Sequence, residues 1–297
     1  MVVESDNSTI LRKMLKGRRI ITAPGIFSPA VAILAQKAGF KCGYFSGAGF
    51  ANLLGLPDIG VTTLSEVARG VEDITSLVSI PLIVDVDTGF GESTNVARTV
   101  VTMEKAGAAA IQIEDQVMPK RCGHLSGKEL VPAEEMVKKI IAAKRARRTN
   151  MILVARTDAA SVEGIESAVE RAKLYLKAGA DMIFPEALES RADFLKFSRQ
   201  IRAPLLANMT EFGKSPYFTA AEFEDMGYKI VIFPVTGFRA AMKAVQDTFR
   251  ELSKRGTQRG LLKRLITRDQ FNKLIDYQSY EKLDRETLLE ARRLNTN

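Results

Sequence analysis

Leu82-Ile83-Val84-Asp85-Val86-Asp87 and, one helical interval later, Ala109-Ala110-Ile111-Gln112-Ile113-Glu114 are two apolar runs that both end in carboxylates. Runs that are apolar at nearly every position, rather than at every second one, describe strands buried on both faces, as in a parallel sheet. Between them, residues 93–106 repeat apolar side chains at helical spacing and stop at Ala106-Gly107, a helix-ending pair. Strand, helix, strand is therefore the unit that this stretch announces.

The same unit recurs in both directions. Strands are expected at 19–23, 42–46, 82–87, 109–114, 151–156, 182–185, 204–208 and 230–233. Helices are expected at 93–106, 133–147, 163–178 and 236–253, among others. Eight such units in roughly 250 residues predict an α/β fold, a (β/α)8 TIM-type barrel. A doubly wound sheet would place a Gly-rich turn after its first strand, and neither G-x-G-x-x-G nor a P-loop occurs. We expect a single barrel domain over 1–297, with 257–297 as a helical extension that packs on the barrel or on a neighbouring subunit. Its apolar residues, Leu261, Leu262, Leu265, Ile266, Phe271 and Leu274, are too many for a solvated tail.

Composition narrows the function. With 297 residues, 46% hydrophobic and 26% charged, the chain is an ordinary globular one. No run of about 18 apolar residues predicts a membrane span, and the polar first 16 residues do not read as a secretory signal. Two cysteines in unlike surroundings do not form a disulfide framework, so a cytoplasmic location is expected. The net charge of +8 suits either nucleic acid or a small anion. Its lysines and arginines lie within helical patterns without interleaved aromatics, which argues against nucleic acid.

Barrels of this class work at the C-terminal ends of their strands. Here six successive strands end in polar groups: Ser46-Gly47-Ala48-Gly49, Asp85-Val86-Asp87, Glu114-Asp115, Arg156-Thr157-Asp158, Pro185-Glu186 and Asn208-Met209-Thr210-Glu211. Asp85 and Asp87, two apart on a strand, are expected to point the same way. Two like charges side by side are costly unless a cation neutralises them. Carboxylate donors suit Mg²⁺, with Mn²⁺ as the alternative, whereas one His and one nearby Cys are too few for zinc. The competing explanation is that the two Asp residues cap the following helix. The loop after the fourth strand, Lys120-Arg121-Cys122-Gly123-His124, holds the only histidine and one of the two cysteines. Its cations are expected to lower the thiol pKa, making Cys122 a proton-transfer group or nucleophile. Cys42, at the start of a strand, reads as a small apolar filler.

These residues also carry a resemblance. Val84 to Gly91, Ile113 to Gln116, Lys120 to His124, Ala155 to Asp158, Phe184 to Ala187 and Asn208 to Gly213 are similar to motifs of the isocitrate lyase and phosphoenolpyruvate mutase superfamily. Within it the chain most resembles the 2-methylisocitrate lyases, over residues 20–283. The Lys-Arg-Cys-Gly-His phrase is the specific one, and the insertion of the longer isocitrate lyases is absent. The resemblance implies a Mg²⁺-dependent carbon–carbon lyase of the methylcitrate cycle in propionate catabolism. It makes Asp85 and Asp87 the metal-site carboxylates, supported by Asp58 and Glu114. It makes Cys122 the proton donor, in a catalytic set with Lys120, Arg121, His124 and Glu114. Ser46, Gly47 and Ala48 resemble a loop that binds a substrate carboxylate. Gly123, Arg156, Glu186, Asn208, Met209, Thr210, Arg239 and Arg268 match substrate-binding positions. Ala48 stands where glycine is common, and Met209 where isoleucine is. The general base stays open. The resemblance further implies a small anionic tricarboxylate as substrate and a homotetramer with C-terminal helix exchange. Isocitrate, a dimethylmalate-type acid, phosphonopyruvate chemistry and a non-catalytic binding barrel are the alternatives.

Overall fold

All eight expected strands form in the computed structural model, which describes residues 6–294. They are β1 (Ile21–Pro24), β2 (Gly43–Phe45), β3 (Leu82–Asp85), β4 (Ala110–Glu114), β5 (Ile152–Thr157), β6 (Met182–Pro185), β7 (Leu206–Asn208) and β8 (Ile230–Phe233). Every pairing is parallel, in two arcs, β2-β3-β4-β5-β6 and β7-β8-β1. Parallel bridges at Gly25–Tyr44 and Ile183–Leu205 join the arcs into a ring. The fold is a (β/α)8 barrel.

Helix α1 (Asn7–Leu15) precedes β1, and α2 (Pro29–Lys37) follows it. Two helices, α3 (Gly47–Leu53) and α4 (Leu64–Thr75), follow β2. The remaining crossovers are α5 (Ser93–Lys105), α6 (Ala133–Ala146), α7 (Ile165–Ala178), α8 (Arg191–Gln200) and α9 (Ala220–Asp225). After β8 come α10 (Thr236–Arg255), a 3-10 turn over Arg259–Arg264, α11 (Arg268–Leu274) and α12 (Tyr277–Leu294). The chain divides into two compact units, one running to Arg239 and the other from Ala240.

Alternation along the strands builds two apolar shells in the first unit. Ile21, Tyr44, Ile83, Ala110, Val154, Phe184, Leu206 and Ile232 fill the ring. Val84, Ile111, Ile113, Leu153, Ile183 and Val231 face outward against Val96, Val100, Met103, Met136 and Ile140 of the helices. Each such large side chain contributes on the order of 1.5–3 kcal/mol through burial. Cys42 lies in the inner shell, and burial pushes its thiol up to about 12. It is a filler.

One boundary differs from expectation in a way that matters. β3 stops at Asp85, and Asp87 has φ 48°, in the left-handed region. Aspartate tolerates that conformation better than most residues. The Asp87 N–H donates to Asp85 Oδ1 at 3.1 Å, and Gly89 N to Val86 O at 2.8 Å. The chain therefore turns away from the ladder between the two carboxylates.

Candidate active site

Strand register brings the polar ends level. Asp85 pairs with Gln112, Glu114 with Arg156, and Arg156 with Phe184. Alternation then separates the adjacent Glu114 and Asp115. Glu114 lies within 3.3 Å of Arg156 Nε in the barrel mouth. Asp115 turns to the outer layer, accepting from Thr157 Oγ1 and the Tyr175 hydroxyl, both at 2.7 Å.

A cavity of about 260 Å³ opens at this end. Its lining includes Ser46, Ala48, Asp58, Asp85, Lys120, Cys122, Gly123, His124, Arg156, Glu186, Asn208, Thr210 and Arg239. Its apolar wall is Phe184, Ile232, Pro234, Val235 and Phe238. The other expected residues lie elsewhere. Glu114 is buried beneath Arg156, and Asp87 sits behind Lys120, beside a neighbouring cavity. Gly47 backs Asp85, to whose Oδ2 its N–H donates at 3.2 Å. Met209 is turned into the outer core, its sulfur accepting from Phe218 N, so it does not face the cavity. Arg121 is exposed, with Nη1 3.5 Å from Ser126 O. Arg268 opens α11 in the second unit and is exposed.

Two charged groups organise the cavity. On one side Lys120 pairs with Asp58 and, at 2.9 Å, with Asp87. Burial lowers its pKa, but Asp87, Glu114, Asp58 and Asp85 outweigh that and hold it well above the usual lysine value. On the other side Arg156 forms a bidentate pair with Asp158 at 2.9 and 3.2 Å and reaches Glu186 at 3.2 Å. Burial pushes Glu186 up, but Arg156, His124 and Lys128 prevail and hold it at about 2, a fixed anion. His124 Nδ1 accepts the Lys214 N–H at 3.0 Å, so its Nε2 carries the proton directed at Glu186 Oε1, 2.9 Å away. Asn208 Nδ2 completes the cluster at 3.2 and 3.3 Å from the two Glu186 oxygens.

The thiol is not what its neighbours in the sequence suggest. Burial, with Glu186 and Asp58 adding to it, raises the pKa of Cys122 above 9.0. The cations of its own loop are directed elsewhere, Lys120 to carboxylates and Arg121 outward. Cys122 therefore stays protonated at neutral pH, which suits an acid and not a nucleophile.

The donor set fits a hard divalent cation. Asp85 is raised to about 6 by burial first and then by Asp87, the cost that a cation would remove. Glu114 is also pushed well up by burial, and neither of its carboxylate oxygens makes a hydrogen bond, nor does Asp87 Oδ1. A Cβ on Gly47 would meet both Asp85 and Asp87 at 3.1–3.3 Å, so both approach one point of backbone. Capping of the following helix is ruled out, because Glu92 is the N-cap of α5; the helix contact that Asp85 does make is with Gly47 N, at the start of α3. Among the described residues no three Asp, Glu, His or Cys side chains converge as direct ligands. Mg²⁺ asks for no more than one or two carboxylates, with water completing its shell.

Several participants escaped the sequence reading. Tyr44, on the cavity wall, donates to Gln112 Oε1 at 2.6 Å. Both are polar residues inside apolar strands, which is the signal that would have found them. Lys128 is buried against Asp158, and nothing in its exposed-looking sequence neighbourhood points to it.

Residues 11–253 match the phosphoenolpyruvate phosphomutase family. The chain is 57% identical to the 2-methylisocitrate lyase of Aeropyrum pernix, over 96% of this chain and 92% of that protein. Among solved structures it is similar to 2,3-dimethylmalate lyase, a PEP mutase/isocitrate lyase superfamily member, with a TM-score of 0.89, 36% identity and 95% of each chain covered. It is also similar to phosphonopyruvate hydrolase in complex with oxalate and Mg²⁺, with a TM-score of 0.84, 32% identity, and 97% and 99% coverage.

Proposed function

We propose that this chain, which belongs to the phosphoenolpyruvate phosphomutase family, cleaves 2-methylisocitrate into pyruvate and succinate. One observation carries the chemical reading: the Cys122 thiol, Asp85 and Arg156 line one cavity, and Asp87 stands behind its wall, paired with Lys120, which also lines it. Cleavage takes a proton from the substrate hydroxyl, breaks the adjacent carbon–carbon bond and leaves a succinate carbanion. The Cys122 thiol gives that carbanion its proton. Arg156 and Arg239 pair with substrate carboxylates, and Ser46, Ala48, Asn208 and Thr210 orient them. Lys120 holds Asp87 and Asp58 in place.

Asp85 and Asp87, with Asp58 and Glu114 behind them, are the residues that would hold Mg²⁺ or Mn²⁺. Such an ion supplies Lewis acidity toward the 2-hydroxy acid. Phosphonopyruvate hydrolase, a relative of 32% identity, is described with Mg²⁺ and oxalate, which supports that reading. The extra methyl of methylisocitrate is assigned to the wall of Phe184, Ile232, Pro234 and Val235. No helix among the described residues is long and apolar enough to cross a membrane. A free thiol at the centre of the chemistry suits a cytoplasmic enzyme of the methylcitrate cycle. In the second unit Phe249, Leu262, Ile266, Tyr280, Leu283 and Leu294 are more than half exposed, which supports a homotetramer that covers them.

The test is product analysis. Pyruvate release from 2-methylisocitrate should exceed glyoxylate release from isocitrate by about 10–200-fold in kcat/KM, the worth of one methyl in an apolar pocket. Equal or better turnover of isocitrate, or of 2,3-dimethylmalate, would overturn the substrate assignment.

A further inference from the structure

We infer that Lys128 is a positioning residue for the catalytic thiol, an inference that rests on the reading of Cys122 as proton donor. Lys128 is buried, and its ammonium donates to the carbonyl of Gly123 and, at 2.8 Å, to Asp158 Oδ1. It is the last of three donors that hold three successive carbonyls. The Arg121 carbonyl accepts from Gln116 Nε2 at 2.9 Å, and the Cys122 carbonyl from Leu125 N at 2.9 Å. The Gly123 carbonyl has Lys128. Of the three, only the Lys128 contact ties the loop to another strand end, that of β5, at Asp158.

That tie reaches a rigid anchor. Asp158 holds Lys128 and Arg156 together, and its own N–H donates to Asp115 Oδ1 at 3.0 Å. Asp115 is in turn fixed by Thr157, Tyr175 and, at 3.5 Å, Arg171. The path from the outer layer to the thiol thus runs through Asp115, Asp158, Lys128 and the Gly123 carbonyl. Gly123 has no slack, since a Cβ there would come within 2.5 Å of both Glu186 and Arg156. A loop pressed this closely onto the substrate-binding arginine and released from Lys128 would carry Cys122 out of line. A shift of about 1 Å costs on the order of 10²-fold when a proton must be delivered to one face of a carbon.

The experiment uses the full-length enzyme with two variants, Lys128→Met and Lys128→Gln. Steady-state kinetics on 2-methylisocitrate is paired with iodoacetamide labelling of Cys122, read by mass spectrometry well below the melting temperature. Cys42 is fully buried and does not compete. In Lys128→Met we expect kcat to fall by about tenfold or more, with KM within about threefold. Labelling of Cys122 should accelerate by at least about threefold, as expected for a locally released loop. Lys128→Gln, which keeps a donor for the carbonyl but not the charge, should fall between Lys128→Met and wild type in both readouts. Wild-type kcat and labelling in Lys128→Met would overturn the proposal. So would a fall in kcat with labelling unchanged. If Lys128→Met does not fold, Lys128→Gln decides by the same two readouts against wild type. The labelling readout does not depend on substrate identity, so a wrong substrate assignment, seen in the wild-type kinetics, is told apart from a failure of this inference.

Discussion

The two ends of the barrel treat charge differently. At the end where the strands begin, Asp181 accepts from both terminal nitrogens of Arg12 at 3.1 and 3.2 Å, from Leu153 N at 2.9 Å and from Arg147. Arg147 and Arg12 also reach the Met151 carbonyl, at 2.8 and 3.3 Å. The acceptors there are in use, and the cluster links α1 to β5, β6 and the end of α6. At the other end Asp87, Glu114 and Asn208 keep buried oxygens without a hydrogen bond, although Lys120 and Arg156 lie at 2.9 and 3.3 Å from the carboxylates. Buried polar groups are almost always satisfied. An end that leaves Glu114 Oε1 and Asn208 Oδ1 with neither a hydrogen bond nor an ion pair is arranged for something besides the protein itself, as expected for the catalytic face of this fold.

The contrast breaks most visibly on metal removal. Exhaustive chelation should abolish lyase turnover, and Mg²⁺ or Mn²⁺ should restore it, with the melting temperature rising as the ion returns. Full turnover in chelator would mean that the unsatisfied carboxylates serve another purpose. Next is Cys122→Ser, which should lower kcat by about 10²–10⁴-fold while the protein still binds succinate and melts normally. A near-normal kcat would remove the thiol from the mechanism. Enlarging the apolar wall by Val235→Phe should erode the preference for 2-methylisocitrate over isocitrate by about tenfold or more, measured as a ratio of kcat/KM. At the opposite end, Asp181→Ala should cost about 2 kcal/mol of stability by denaturant melts, because two arginines lose their acceptor. Its kcat per folded molecule should equal that of wild type. An activity loss larger than the stability loss would show that the two ends are not separable.

The smallest effect is one of pH, and its sign follows from the thiol. Since the pKa of Cys122 is raised above 9.0, the acid form persists at neutral pH and is lost only as pH climbs past that raised value. On its alkaline limb turnover should therefore hold until pH passes that raised value, and iodoacetamide labelling should still be accelerating there. Labelling that levels off near pH 7 would mean a thiolate, as the lysine and arginine beside it in the sequence suggest.

The strands were legible because each is a short, continuously apolar run, and eight such runs leave few architectures. The carboxylate rim was legible for the same reason, since a charge closing an apolar strand is conspicuous. Geometry beyond one strand was not. Asp85 and Asp87 reach the same region through a left-handed turn at Asp87, not through strand alternation. The pKa of Cys122 is raised chiefly by burial, over the lowering hydrogen bond of the His124 backbone, with Glu186, 64 positions away, adding to the rise. Met209 occupies a strand-end position yet faces the helices. Ser46 caps α3, so what reads as a loop is the start of a helix. Lys128 has no signature at all until Asp158 is brought beside it.

The ring is continuous by ladders everywhere except at two seams, β1 to β2 and β6 to β7, each closed by one bridge. The second seam ends between Glu186 and Asn208, whose side chains touch across it at 3.2 Å. Two of the proposed substrate contacts are thus a stitch in the barrel wall. A substrate that engages both of them tightens the barrel at its thinnest join, and a variant that drops either one loosens the container along with the chemistry.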